Sequence, residues 1–61
     1  MDAFALLIIY KNGIEKVVAN VDGYEHRPDK GVFVFRKNGY HNFVVASNVC
    51  YFGRYDSYYE N

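Results

Sequence analysis

The chain has a single cysteine, no net charge, no long hydrophobic run and no stretch with a helical repeat, and each shortage excludes something. Cys50 has no partner for a disulfide within the chain, and an unpaired thiol suits a reducing cytoplasm better than a secreted setting. Seven basic and seven acidic residues are spread along the sequence and cancel. There is no basic stripe for a phosphate backbone and no acidic block of the kind a DNA mimic carries. The longest apolar run, Ala3 to Ile9, falls well short of the roughly 20 residues that span a bilayer. It is not preceded by Lys or Arg, and no small-residue cleavage site follows before Tyr10 and Lys11. The expectation is a soluble, cytoplasmic protein without a membrane partner. No apolar repeat of 3.6 residues persists over about 11 positions, so no helix of useful length is expected.

Size adds a second constraint. Residues 1–61 make one small domain, and a chain of this length buries only about 60% of the surface its unfolded form exposes. Such domains often rely on disulfides, a metal or assembly. Disulfides are excluded within one chain. His26, His41 and Cys50 lack the close-spaced pairs of a zinc site, so no metal is expected. An unusually good core or a second chain remains.

What the sequence has in quantity is hairpin grammar. Lys11-Asn12-Gly13 and Lys37-Asn38-Gly39 each separate runs rich in Ile, Val, Phe and Tyr. Asn-Gly readily supplies the positive φ angles of a two-residue turn. The predicted strands are 4–10 with 14–21, 32–36 with 40–47, and a fifth over 49–52. The charged segment from Asp22 to Gly31 reads as a solvated connection, with Arg27-Pro28-Asp29-Lys30 as a type I turn and Gly31 left-handed after it. The fold class expected is all-β: a four- to five-stranded antiparallel meander built on two Asn-Gly hairpins, a small open-barrel or SH3-like sheet. Asp56 is positioned to cap a last helical turn.

Pairing across these turns exposes an anomaly. With a two-residue first turn, Phe4–Val21, Leu6–Ala19 and Ile8–Val17 share one apolar face, while Leu7–Val18 and Ile9 share the other. In the second hairpin Val32–Val45 and Val34–Phe43 lie on one side, Phe33–Val44 and Phe35 on the other. A sheet with one solvated face alternates apolar and polar residues, and neither hairpin does. Contiguous exposed apolar surface marks an interaction site. Leu7, Ile9 and Val18 are therefore the expected oligomer contacts, with a homodimer or higher assembly covering the second face.

Chemistry finds little purchase. Cys50 lies in the apolar run Val49–Phe52, where a small buried residue is the ordinary role. Nothing resembles a nucleophile elbow, and the five glycines are too scattered to cradle a phosphate. The chain is read as no enzyme, with no cofactor. The C-terminal run from Tyr51 to Tyr59 instead carries Tyr and Arg, which dominate interface hot spots. Tyr51, Arg54, Tyr55, Tyr58 and Tyr59 are the first candidate partner-binding surface, and Tyr24, Glu25, His26 and Arg27 the second. The functional expectation is a non-catalytic binding protein acting by stoichiometric occupancy of another protein, in the manner of phage or mobile-element inhibitors of a host system. Two alternatives use the same residues. One is a single-stranded nucleic-acid-binding module with bases stacked on the tyrosines. The other is an oligomer sequestering a small ligand such as a nucleotide at a subunit interface.

Overall fold

The structure is a computed structural model and describes residues 3–59. Five strands form one antiparallel sheet: β1 Phe4–Tyr10, β2 Glu15–Arg27, β3 Val32–Lys37, β4 Tyr40–Val45 and β5 Val49–Arg54. A 3-10 turn, Ala46–Asn48, precedes β5, and a short helix α1, Tyr55–Tyr59, follows it. The strand order is β4-β3-β2-β1-β5. The first four strands make the expected meander. β5 returns to pair with β1, so β4 and β5 are the two edges.

The two Lys-Asn-Gly triplets build different turns. Asn38 and Gly39 both take positive φ (54° and 80°), and β3 pairs with β4 in the expected register from Val32–Val45 to Lys37–Tyr40. At the first triplet only Gly13 does so (φ 93°). There the Gly13 N–H donates to the Tyr10 carbonyl at 2.9 Å, and the Tyr10 N–H to the Ile14 carbonyl at 2.8 Å. Asn12 Oδ1 accepts the Ile14 N–H at 3.0 Å. This is a three-residue turn closed by a glycine bulge.

The extra residue corrects the expected pairing. Leu6 lies opposite Val18 and Ile8 opposite Lys16, not Ala19 and Val17. A slip of one residue exchanges the faces of a strand. Val18 consequently packs against the core, while Val17 points out and is half exposed. Phe4 still meets Val21, because β2 bulges between Val18 and Val21. Asn20 takes φ 60° there, a conformation asparagine tolerates better than most side chains.

β2 also runs further than expected. The strand continues through the charged segment to Arg27 and pairs with β3. A second bulge at Asp22 absorbs the interruption. The loop proper shrinks to the Pro28 turn, where the Lys30 N–H reaches the Arg27 carbonyl at 3.1 Å and Gly31 sits at φ 66°. Bulges bend a strand and increase its twist. β2 accordingly serves two halves of the sheet, β5-β1-β2 and β2-β3-β4, whose inner faces fold onto each other. Phe52 of β5 stacks on Phe33 of β3 at 4.5 Å between ring centroids, although three strand spacings separate them along the sheet. Leu6, Ile8, Val21, Phe35 and Val49 are the buried core of this curled, open barrel. Each such side chain, fully withdrawn from water, contributes roughly 1.5–3 kcal/mol.

Candidate docking surface

The exterior of the barrel divides into two regions. On the first, the outward residues of β1 and β5 are Leu7, Ile9, Tyr51 and Gly53, with Leu7 opposite Gly53 and Ile9 opposite Tyr51. α1 packs against both strands. The Tyr58 ring meets the Tyr51 ring at 4.7 Å. Tyr51 lies over Gly53, whose missing side chain makes the room: a Cβ there would come within 2.8 Å of the tyrosine oxygen. The Tyr51 hydroxyl donates to the Arg54 carbonyl at 3.2 Å. Leu7 beneath is 0% exposed.

The aromatic C-terminus thus turns back as a cover for the chain's own sheet. Tyr55, Tyr58 and Tyr59 pack on one another at 4.8–4.9 Å and retain partly exposed rings. The Tyr59 hydroxyl donates to Glu15 Oε1 at 3.2 Å. Loss of hydration at that hydroxyl, reinforced by the neighbouring carboxylate, raises its pKa above the ordinary tyrosine value. Arg54 does not join these rings. It lies across from Leu6 on the core side, with its guanidinium 4.4 Å from the Phe4 ring centroid.

Strand alternation also separates the second candidate group. Tyr24 and His26 share the inward side with Phe35 and Phe33, their partners on β3. His26 stacks on Phe33 at 4.6 Å, and Tyr24 packs edge-on against Phe4 and Phe52, both at 5.7 Å. Glu25 and Arg27 project from the exterior and form an exposed ion pair. Of the expected oligomer contacts, Leu7 has no surface left to offer and Val18 faces the core; Ile9 alone keeps partial exposure on the outside. Cys50, expected to be buried, is exposed. Ile9 pairs with Tyr51 and Tyr10 with Val49, which leaves Cys50 as the unpaired residue of a bulge.

The second region is the exterior of β2, β3 and β4 beyond the bend. Three rows cross it: Arg27, Val32 and Val45; Glu25, Val34 and Phe43; Gly23, Arg36 and His41. Among the described residues no helix covers them. Phe43 is 67% exposed and Val45 53%. Two shallow depressions, of about 210 and 250 Å³, flank Val34. Glu25, Arg36 and His41 line the first; Arg27, Lys30 and Phe43 line the second. The surface is an apolar strip rimmed by cations, with Glu25 as the acid within it. Sequence reasoning did not single out Phe43, Arg36 or His41 as a site. The signal was the failed alternation of the second hairpin, which marks a face without saying which face stays open.

Among the described residues no three His, Cys, Asp or Glu side chains are grouped to hold a metal ion, and no helix is long and apolar enough to cross a membrane. Comparison with known proteins gives no match to any family model, curated protein or solved structure.

Proposed function

We propose that the chain is a non-catalytic recognition module that acts by stoichiometric occupancy of another protein, with the exterior of β2, β3 and β4 as its docking surface. The observation that carries this reading is Phe43, two-thirds exposed on the outer face of β4 beside Val34 and the half-exposed Val45. An aromatic anchor framed by Arg27, Arg36 and His41 has the composition of an interface centre with a polar rim. The chemistry it suits is an apolar side chain flanked by carboxylates. Inhibition of a larger host machine is the role in which such occupancy suffices without catalysis.

Immobilised protein should capture a partner from a lysate of the organism that encodes it. Arg36→Glu reverses charge on the face without touching the core or the sheet edge. It should abolish capture, whereas Tyr55→Ala on α1 should not, with both variants keeping the wild-type circular dichroism spectrum. Capture lost in Tyr55→Ala and kept in Arg36→Glu would return the site to the C-terminal rings. The nucleic-acid alternative draws on the tyrosines with Arg36, Lys37 and Arg54; the rings of Tyr24, Tyr51, Tyr55, Tyr58 and Tyr59 pack on neighbouring rings, and Tyr40 stays open. A labelled single strand should show no salt-dependent titration; steep salt dependence would favour that alternative. A rise in melting temperature with added nucleotide would favour the ligand-sequestering one.

A further inference from the structure

The two edges of the sheet differ in a way that goes beyond the docking face. β5 is blunted: it bulges at Cys50, ends in Arg54 and turns at once into α1. β4 has none of the devices that keep edges apart. Its sequence, Tyr40 to Val45 (YHNFVV), holds no Lys, Arg, Asp, Glu or Pro, and its pairing with β3 runs without a bulge.

The pairing also shows which backbone groups are free. In a two-residue hairpin the residues flanking the turn exchange hydrogen bonds, and the bonded pairs then alternate along the ladder. Lys37–Tyr40 flank the turn. At the far end of the same ladder the Ala46 N–H donates to the Gly31 carbonyl at 2.9 Å. Both ends agree that Tyr40, Asn42 and Val44 turn their backbone groups toward β3. His41 and Phe43 turn theirs outward, as does the Val45 N–H, while the Val45 carbonyl already accepts the first bond of the 3-10 turn that it caps.

We infer that β4 pairs antiparallel with β4 of a second copy of this chain, about a two-fold axis that sets Phe43 opposite Phe43 of the second copy. In this register the Phe43 N–H and C=O pair reciprocally with those of the second copy, the Val45 N–H reaches the opposite His41 carbonyl, and the His41 N–H takes the second lone pair of the Val45 carbonyl. Centring the axis one residue earlier would leave Val45 unpaired. No formal charge faces a like charge across the ladder, and the chain's net charge of zero adds no general repulsion between copies. A foreign strand would need its own match to this row, which the second copy already provides.

Area sets the strength. Tyr40 is 75%, Phe43 67% and Val45 53% exposed; an edge-to-edge ladder covers their flanks and leaves the outer face of Phe43 open, so it withdraws less than about 300 Å² per protomer, well under half of a standard interface share. The dimer is therefore weak and reversible, since its interface falls below the standard size. It sets the two docking faces side by side. The inference stands apart from the proposed function, because Arg36 lies one strand inside the edge and an uncaptured partner would leave the ladder intact.

The test combines sedimentation with amide exchange read by NMR, on the full chain with reductant present so that exposed Cys50 cannot join copies. Between roughly 10 μM and 1 mM, a span suited to weak association, the mass should rise from monomer toward dimer. Over the same range the amides of His41, Phe43 and Val45 should slow together by at least about tenfold, while those of Tyr40, Asn42 and Val44 stay unchanged. Val45→Lys, an edge charge, should restore the monomer and fast exchange with an unaltered circular dichroism spectrum. A monomer at every concentration would overturn the inference. So would a dimer that protects β5 instead, one that survives Val45→Lys, or protection of the three amides that arises only when a foreign peptide is added.

Discussion

The two exterior regions of this barrel begin from the same predicament and reach different ends. Both present apolar side chains on the side of the sheet away from the core. Over β1 and β5 the chain supplies its own cover, and Leu7 is as dry as any core residue. Over β3 and β4 the described residues supply none, and Phe43 stays two-thirds in water. The difference lies in where the C-terminus can reach. β5 lies beside β1, so the five residues of α1 fall back on those two strands and on Glu15 at the start of β2. The lesson is that two-sided apolarity in a small sheet does not by itself announce a partner. It announces a cover, and topology decides which part the chain can provide.

The largest expected effect breaks the comparison at its two ends. Leu7→Ala should cost about 2–5 kcal/mol, the range for a fully buried leucine, whereas Phe43→Ala in dilute solution should stay within about 0.5 kcal/mol. Urea unfolding of the two variants measures both, and equal losses would erase the distinction between covered and open faces. Next comes Gly53→Val, which forces the Tyr51 ring off the strand. Overpacking of this kind costs about 1–3 kcal/mol, and the readout is loss of the Tyr51–Tyr58 contact by NMR.

Tyr58→Ala is milder. It removes one aromatic contact, worth about 0.5–1.5 kcal/mol beyond buried area, and should speed exchange at Leu7 without changing exchange in β4. The smallest effect is in pH. Tyr59 has a raised pKa in the folded chain. Its contribution to the docking of α1 is therefore complete below the unfolded tyrosine pKa of about 10 and is lost as pH climbs through the folded value. Heating scans at pH 8 and pH 11 should show a loss in the wild type that is smaller in Tyr59→Phe.

Much of the fold was legible in the residues, and the illegible parts have physical reasons. The turn at Asn38-Gly39 and the whole register of β3 with β4 follow from alternation and turn chemistry alone. The same triplet at Lys11-Asn12-Gly13 misled, because two- and three-residue turns differ little in local preference. Distant pairing accompanies the outcome: the Lys11 N–H donates to the Asn48 carbonyl at 2.9 Å, a bond that exists only once β5 has returned to β1. That one-residue difference exchanged the roles of Val17 and Val18 and removed Val18 from the exterior. The charged run from Asp22 to Arg27 looked like loop because its side chains are solvated, yet a strand on a curved sheet can be solvated and still pair. For the candidate site, the aromatic C-terminus was read as a surface for a partner, whereas its rings pack on the chain's own β1 and β5. That the surface was the underside of its own strand depended on strand order, which no local pattern encodes.

The most direct test compares Leu7 and Tyr51 with Phe43 and Val45 in one dilute sample, by NMR relaxation from a soluble paramagnetic probe. Strong broadening at Phe43 and Val45 with Leu7 and Tyr51 spared is the result expected of a chain that covers one exterior and leaves the other open. Comparable broadening at all four positions, or sparing of Phe43 in the monomer, would contradict it.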